Sequence, residues 1–400
     1  MIPEIRKKFN SEFNEETFNK FLNELNSTLK YPVDFRVCET PLFLSDELAN
    51  ELTQASNDIC HQLLDKRLIE RCKQAIPENL KVPGVDSHPQ FLSIDFALYN
   101  GDDKKIHPKL IELQGFPTLY AYQYYLDKIL RKYFYVPDDF KCYYSNLSSE
   151  EYIRLFKKII IEDEDPNNVI LLEIEPHKQK TRIDFTATEE LLGINTVCIS
   201  DLIKKGNKLF YKKDLPNSRA GTKEIEVKRI YNRVIFDELN RSAVKYNFDF
   251  RDEFDIKWVC HPDWFFRISK YTLPLLKGKY VPKAFFVNEL KSVPGDLHNY
   301  VLKPLFSFAG LGVKVDVTKE MLKSIPDPEN YILQEKIDYA PLIETPDEKS
   351  KVEIRMMFLW DKEPLLVNNL IRTSKGKMMG VDFNKNKTWV GSSTAYRLSK

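Results

Sequence analysis

The stretch that most constrains this chain is residues 300–313, Tyr-Val-Leu-Lys-Pro-Leu-Phe-Ser-Phe-Ala-Gly-Leu-Gly-Val. An apolar run ends at Lys303-Pro304, and a loop follows with Ser307, Ala309, Gly310 and Gly312. A second β-like run, 313–317, comes straight after. Strand, small-residue loop, strand is the form of a flap over phosphate rather than of a loop that opens a helix. Small residues let backbone N–H groups close over phosphate oxygens, and Lys303 supplies a compact positive charge beside them. Taken alone, the same pattern also describes an ordinary glycine-containing hairpin.

The 400 residues are enough for two or three domains with a sizeable core. Sixty basic residues against 59 acidic ones leave a formal charge of +1, which gives no reason to expect nucleic acid or an anionic membrane as partner. No apolar run approaches the roughly 20 residues a membrane span requires. The first residues lack the apolar core of an export signal, and the six cysteines form no C-x-x-C. Reduced thiols in a cytoplasm are therefore expected. The adjacent pairs Cys60-His61 and Cys260-His261 have no further ligands at metal spacing.

Residues 1–35 are polar and helix-prone, with Phe9, Phe13, Phe18 and Leu22 loosely on one face. Ser45 is placed to cap a clearer helix, with Leu48, Leu52, Ala55, Ile59 and Leu63 in one stripe. Two strands, 91–99 and 110–114, follow around a polar loop. Asp95 sits inside the first, and Glu112 and Gln114 share one face of the second. An Asp facing a Glu across a hairpin repels it unless a cation lies between them. A hard divalent ion such as Mg²⁺ resolves the conflict; an edge hairpin with a solvated polar stripe is the alternative.

Thr118 is placed to cap a helix to about Tyr133, and Ser148 with Glu151 forms a capping box. A strand at 169–174, a helix at 184–192 stopped by Gly193 and a strand at 195–199 make a βαβ unit. The loop 175–181, with His177, lies where open α/β sheets place ligands. Residues 225–235 read as one strand carrying Arg233, whose burial demands an anion from the protein or a ligand. Further strands are expected at 332–337, 353–358 and 365–372, the last two as a hairpin.

Together these pieces resemble the ATP-grasp superfamily, in particular glutathionylspermidine synthases and the circularly permuted ATP-grasp branch. Lys303-Pro-Leu-Phe-Ser307 with Gly310 and Val313 is similar to the family's Lys-Pro-x-x-Ser-x-x-Gly-x-x-Val phosphate flap. Lys270 fits the phosphate-contacting lysine that precedes the small lobe. Gln334, Glu335, Lys336 and Ile337 resemble the adenine hinge. Asp95, Glu112 and Gln114, leading into Gly115-Phe-Pro-Thr118, resemble the magnesium set and its helix start. The magnesium strands precede the flap, which is the order of that branch. Glutathionylspermidine synthases have Arg two residues before the metal Asp and another within the flap. Ser93 and Phe308 stand there, and Gln114 stands where Asn is usual.

The resemblance implies an α/β protein of α+β lobes with a permuted ATP-grasp fold and a small Rossmann-like βαβ domain. Residues 1–150 and 346–400 are expected to form the large lobe, 151–265 a substrate domain, and 266–345 the small lobe with flap and hinge. It also implies ATP and Mg²⁺ as cofactors, and a ligase that joins a small or peptide-like carboxylate to an amine or thiol through an acyl phosphate. Arg355 and Arg372 are then candidates to stabilise transferred phosphoryl charge, with Asn368 beside them, and Arg233 to anchor the carboxylate. A phosphotransferase is one alternative. A nucleotide-binding member without turnover, suggested by Ser93, Phe308 and Gln114, is the other.

Overall fold

A computed structural model describes residues 2–214, 221–307 and 310–399. Its organising element is an antiparallel sheet in the order Gly391–Ser393, Pro364–Ser374, Ser350–Trp360, Phe91–Asn100, Ile106–Gln114. Eight successive residues from Phe91 to Leu98 are buried, so both faces of that strand are covered. Leu92, Ile94 and Phe96 point into one core, while Phe91, Ser93 and Asp95 take the other face by the two-residue alternation of a strand.

The first core is closed by the helix Asp46–Leu63, whose Leu48, Leu52, Ala55, Ile59 and Leu63 form the expected buried stripe. Asp46 and Glu47 in its first turn complement the helix dipole, although Ser45 makes no side-chain cap. Burying each of the larger side chains contributes about 1.5–3 kcal/mol. The opposite core holds the helix Tyr120–Tyr133 and two N-terminal helices, Pro3–Glu12 and Glu15–Thr28. The break between those two falls where Asn14 accepts the Thr17 N–H. Leu42–Phe43 pairs in parallel with Ala395–Leu398, which ties the two ends of the chain together.

A second sheet is parallel, in the order Lys257–Val259, Arg229–Asn232, Val169–Glu173, Asn195–Cys198. The helix Arg182–Leu192 crosses between its last two strands and ends at Gly193, whose φ of +73° a residue with a Cβ would adopt only under strain. The expected single strand at 225–235 is corrected: it breaks at Lys228 into Thr222–Val227 and Arg229–Asn232, which belong to different sheets. Lys228 N–H is drawn aside to Asn168 O at 2.8 Å.

Thr118 does not cap the next helix. Leu119 holds that place in a left-handed conformation (φ +63°), and Asp184 accepts its N–H at 3.0 Å and that of Tyr122 at 2.9 Å. A carboxylate from the βαβ unit thus does the work expected of a local hydroxyl.

A further sheet is small and antiparallel, Ala284–Phe286, Tyr331–Glu335, Tyr300–Pro304, with Leu302 and Leu333 in its own core. The run 313–317 is not a second strand: only Lys314 pairs, exchanging two 2.9 Å hydrogen bonds with Leu302. Among the described residues, no helix is long and apolar enough to cross a membrane.

Candidate functional site

Asp95 and Glu112 are directly opposite in their antiparallel pair, and the register slips immediately afterwards, with Phe96 facing Leu110. The slip leaves Ile111 as a bulged residue with no strand partner. Its carbonyl accepts Lys303 Nζ at 3.0 Å, so the bulge seats a lysine of the flap strand on the carboxylate strand.

Arg355 lies opposite Asp95 on the neighbouring strand and grips its carboxylate with two hydrogen bonds, Nε–Oδ1 2.6 Å and Nη2–Oδ2 2.7 Å. Arg372 reaches Asp95 Oδ2 at 3.3 Å and pairs with Glu353, which stands opposite it in the hairpin. Tyr339 O–H completes the set by donating to Glu353 Oε2 at 2.9 Å. On the other side, Lys270 Nζ lies 3.0 Å from Glu112 Oε1 and 2.7 Å from Ser307 O.

Four cations, Lys270, Lys303, Arg355 and Arg372, thus surround three carboxylates, Asp95, Glu112 and Glu353. Burial by itself would raise the Glu112 carboxyl, but the charges of Lys270 and Lys303 outweigh it and bring it down to about 2. Burial lowers the Lys303 ammonium to about 8 despite the opposing pull of Glu112. Four positive charges less three negative ones leave the cluster with one net positive charge, and its Lys270 and Glu112 line a narrow crevice.

That crevice is lined by Glu112, Gln114, Lys270 and Ser307 on its polar side and by Phe116 and Phe306 on its apolar side. Its volume of about 20 Å³ holds roughly one water and does not admit a nucleotide. Ser307 Oγ and Gln114 Oε1 are buried beside it with no protein partner. Gln334 Oε1, whose own Nε2 donates to Leu110 O at 3.3 Å, is likewise unpartnered. An unpaired buried polar atom costs about 1–3 kcal/mol, which a bound donor or cation relieves.

The flap departs from the hairpin around it at two glycines with positive φ, Gly310 (+74°) and Gly312 (+77°). A Cβ on Gly312 would lie 2.9 Å from Pro304 Cγ, so both dihedral and packing require glycine there. Phe308 and Ala309 lie outside the described residues. In the hinge segment, Glu335 Oε2 accepts Lys283 N–H at 3.2 Å and Lys336 N–H donates to Asn299 O at 2.7 Å. Ile337 lies beyond the end of that strand.

Protein cations lie against Asp95 and Glu112, and both Asp95 oxygens are engaged by Arg355. Among the described residues, no group of three or more His, Cys, Asp or Glu side chains has metal-holding geometry. The donors that fit a cation are Glu112, ionised and partly exposed, and the unpartnered Gln114 Oε1. Arg233 is not part of the cluster: it pairs with Asp184 at 3.2 Å and lies between the rings of Phe116 and Phe185, so its anion comes from the protein. Asn368 Oδ1 accepts the Asn369 N–H at 2.7 Å, and its Nδ2 is buried without a partner.

Cys60 and Cys260 are buried free thiols, His61 and His177 are exposed, and His261 Nε2 lies 3.0 Å from Pro83 O. Sequence reading missed Glu353 and Tyr339. Glu353 was detectable, because it precedes Arg355 by two residues and so shares its face. Tyr339 was not, since only the tertiary structure brings its loop onto the hairpin.

No protein-family model matches the sequence, and no curated protein matches it. Among solved structures, the chain is similar to a glutathione synthetase-like effector from Globodera pallida in its apo form. The TM-score is 0.58 at 11% identity, covering 97% of this chain and 98% of that one. The likeness is one of fold: an α+β architecture shared along nearly the whole length of both chains.

Proposed function

We propose that the protein is an ATP-grasp ligase that joins a carboxylate to an amine or thiol and releases ADP and phosphate. One observation carries the proposal: Lys270, Glu112 and the unpartnered Ser307 Oγ and Gln114 Oε1, from distant segments, line one crevice, and Lys303, Arg355 and Arg372 belong to the ion network behind it. The fold shared with a glutathione synthetase-like protein supports it, as does the order of the motifs in the chain.

In this reading Lys270 and Lys303 hold phosphate oxygens of ATP, and Ser307 with the glycine backbone closes over them. Glu112 and Gln114 would hold the magnesium ion, which supplies charge neutralisation when bound. Asp95 acts on the arginines instead, fixing Arg355 and Arg372 where phosphoryl charge moves to the substrate carboxylate. Attack of that carboxylate on the γ-phosphate gives an acyl phosphate and ADP, and the acceptor then displaces phosphate. The residues do no covalent chemistry; they neutralise charge and exclude water. The lobes must part first, because Lys270 bridges Glu112 and Ser307 and closes the crevice.

A nucleotide-binding protein without turnover is the second reading, favoured by the closed grip of Arg355 on Asp95. Calorimetry of Mg²⁺-ATP binding to the wild type, Lys303→Met and Glu112→Gln tests the site, and ADP release with a panel of carboxylates and amines tests the reaction. Binding that needs both side chains, with acceptor-dependent ADP release, supports the ligase. Binding without release under any acceptor supports the second reading. Absence of binding, or binding indifferent to both substitutions, overturns both.

A further inference from the structure

On a different part of the surface, the helix Lys66–Cys72, the loop carrying Val82 and the turn Trp264–Arg267 enclose an open groove of about 760 Å³. Five cations line it, but they are not equivalent. Lys73 and Lys81 are engaged by Glu70 and Glu78. Arg67, Arg71 and Arg267 make only longer ion pairs: their nearest carboxylates, Asp65, Glu289 and Asp263, lie at 3.6, 3.8 and 3.6 Å, beyond hydrogen-bond reach. No guanidinium of the three donates a hydrogen bond to any described residue.

Arg267 is the most telling of these. Its side chain is 7% exposed, its guanidinium lies 5.2 Å from the Trp264 ring centroid, and its Nε is buried without a partner. Asp263 does not satisfy it, because Asp263 Oδ1 accepts the Val82 N–H at 3.1 Å and only Oδ2 faces the arginine. Arg67 and Arg71 are four residues apart on one helix, so they present their charges on one face across from it. Between the arginines the floor is apolar, made by Ile76, Val82 and Val85.

We infer that this groove binds a small dicarboxylate, with one acid group on Arg267, the other on Arg67 and Arg71, and a hydrocarbon chain over Ile76 and Val82. Arginine matches a carboxylate with two parallel hydrogen bonds, and Arg267 makes none with any described residue. The apolar floor excludes inorganic phosphate as the better ligand, since it would leave that floor wet.

Suberate, an eight-carbon dicarboxylate, is the probe, titrated calorimetrically into the full-length chain, with hexanoate as the single-acid control. Suberate is expected to bind at one site per chain, roughly tenfold tighter than hexanoate. Arg267→Lys keeps the charge but loses the planar fork, and should weaken suberate by about tenfold. Arg71→Ala, at an exposed position, should weaken it in the same direction and carries the test if the buried substitution unfolds the chain. Lys303→Met should leave suberate binding intact. Failure of the wild type to bind suberate, equal binding of suberate and hexanoate, or indifference to both arginine substitutions overturns the inference. Loss in Lys303→Met alone would put suberate in the crevice and also overturn it.

Discussion

Asp95 and Glu112 face each other across neighbouring antiparallel strands, and Arg355 and Lys270 reach in from two other segments to hold their charges apart. Two carboxylates at such a position would otherwise repel and lose their hydration together. The pairing makes the fold of the large sheet and the charge of the candidate site the same arrangement.

Removing one side of that arrangement is expected to be costly. Asp95 is 1% exposed, so Arg355→Met leaves a buried carboxylate with only the longer Arg372 contact and should destabilise the protein by about 3 kcal/mol. The double variant Asp95→Leu/Arg355→Met should recover a large part of the loss. Urea unfolding of the three chains checks this; equal stability of the single variant and wild type would remove the pair from any structural role.

The depressed Glu112 carboxyl fixes a pH dependence. Its folded pKa of about 2 lies below the ordinary carboxylate value, so its contribution is present above the ordinary value and is lost as pH falls toward 2. Thermal melts of wild type and Glu112→Gln between pH 7 and pH 3 should converge as the acid limit is approached. Parallel curves across that range would mean that Lys270 and Lys303 do not hold the group ionised.

A titration of the opposite sign is expected at the edge of the sheet. His107 Nδ1 lies 2.9 Å from Glu51 and Nε2 3.0 Å from Asp103, so both nitrogens donate only when the ring is protonated. Burial lowers its pKa, but the bonds to Glu51 and Asp103 outweigh that and leave it raised. The stability it adds is full below the ordinary histidine pKa and is lost as pH rises through the raised folded value. In His107→Phe that loss with rising pH should disappear, as read from unfolding midpoints at a series of pH values.

The flap can be tested without knowing the substrate. Gly312→Ala meets both an unfavourable φ and Pro304 Cγ, and should strain the flap by about 1–2 kcal/mol. Faster amide exchange confined to the residues around Lys314 and Leu302, with weaker Mg²⁺-ATP binding, is the expected result. Unchanged exchange there would show that the loop tolerates the side chain.

Features set by local chemistry were legible in the sequence. The stripe Leu48–Leu52–Ala55–Ile59–Leu63 follows helical spacing, Ser148 and Glu151 satisfy each other's backbone groups, and Gly193 ends its helix because it accepts a left-handed turn. The β hairpins carrying Asp95, Glu112, Arg355 and Arg372 were readable for the same reason, since a two-residue alternation assigns each side chain to a face without reference to the rest of the chain.

What decided the partners of those side chains was contact between distant segments. Asp184 caps a helix 62 residues away in sequence, Arg355 reaches Asp95 across 260, and Lys303 finds the carbonyl of a bulged residue 192 positions earlier. The sequence determined which strand faces carry the charged side chains and left open whether water or a buried partner meets them. Only the tertiary structure determined that protein cations would neutralise them, because a buried charge must be met by whichever opposite charge packing brings within a few ångströms.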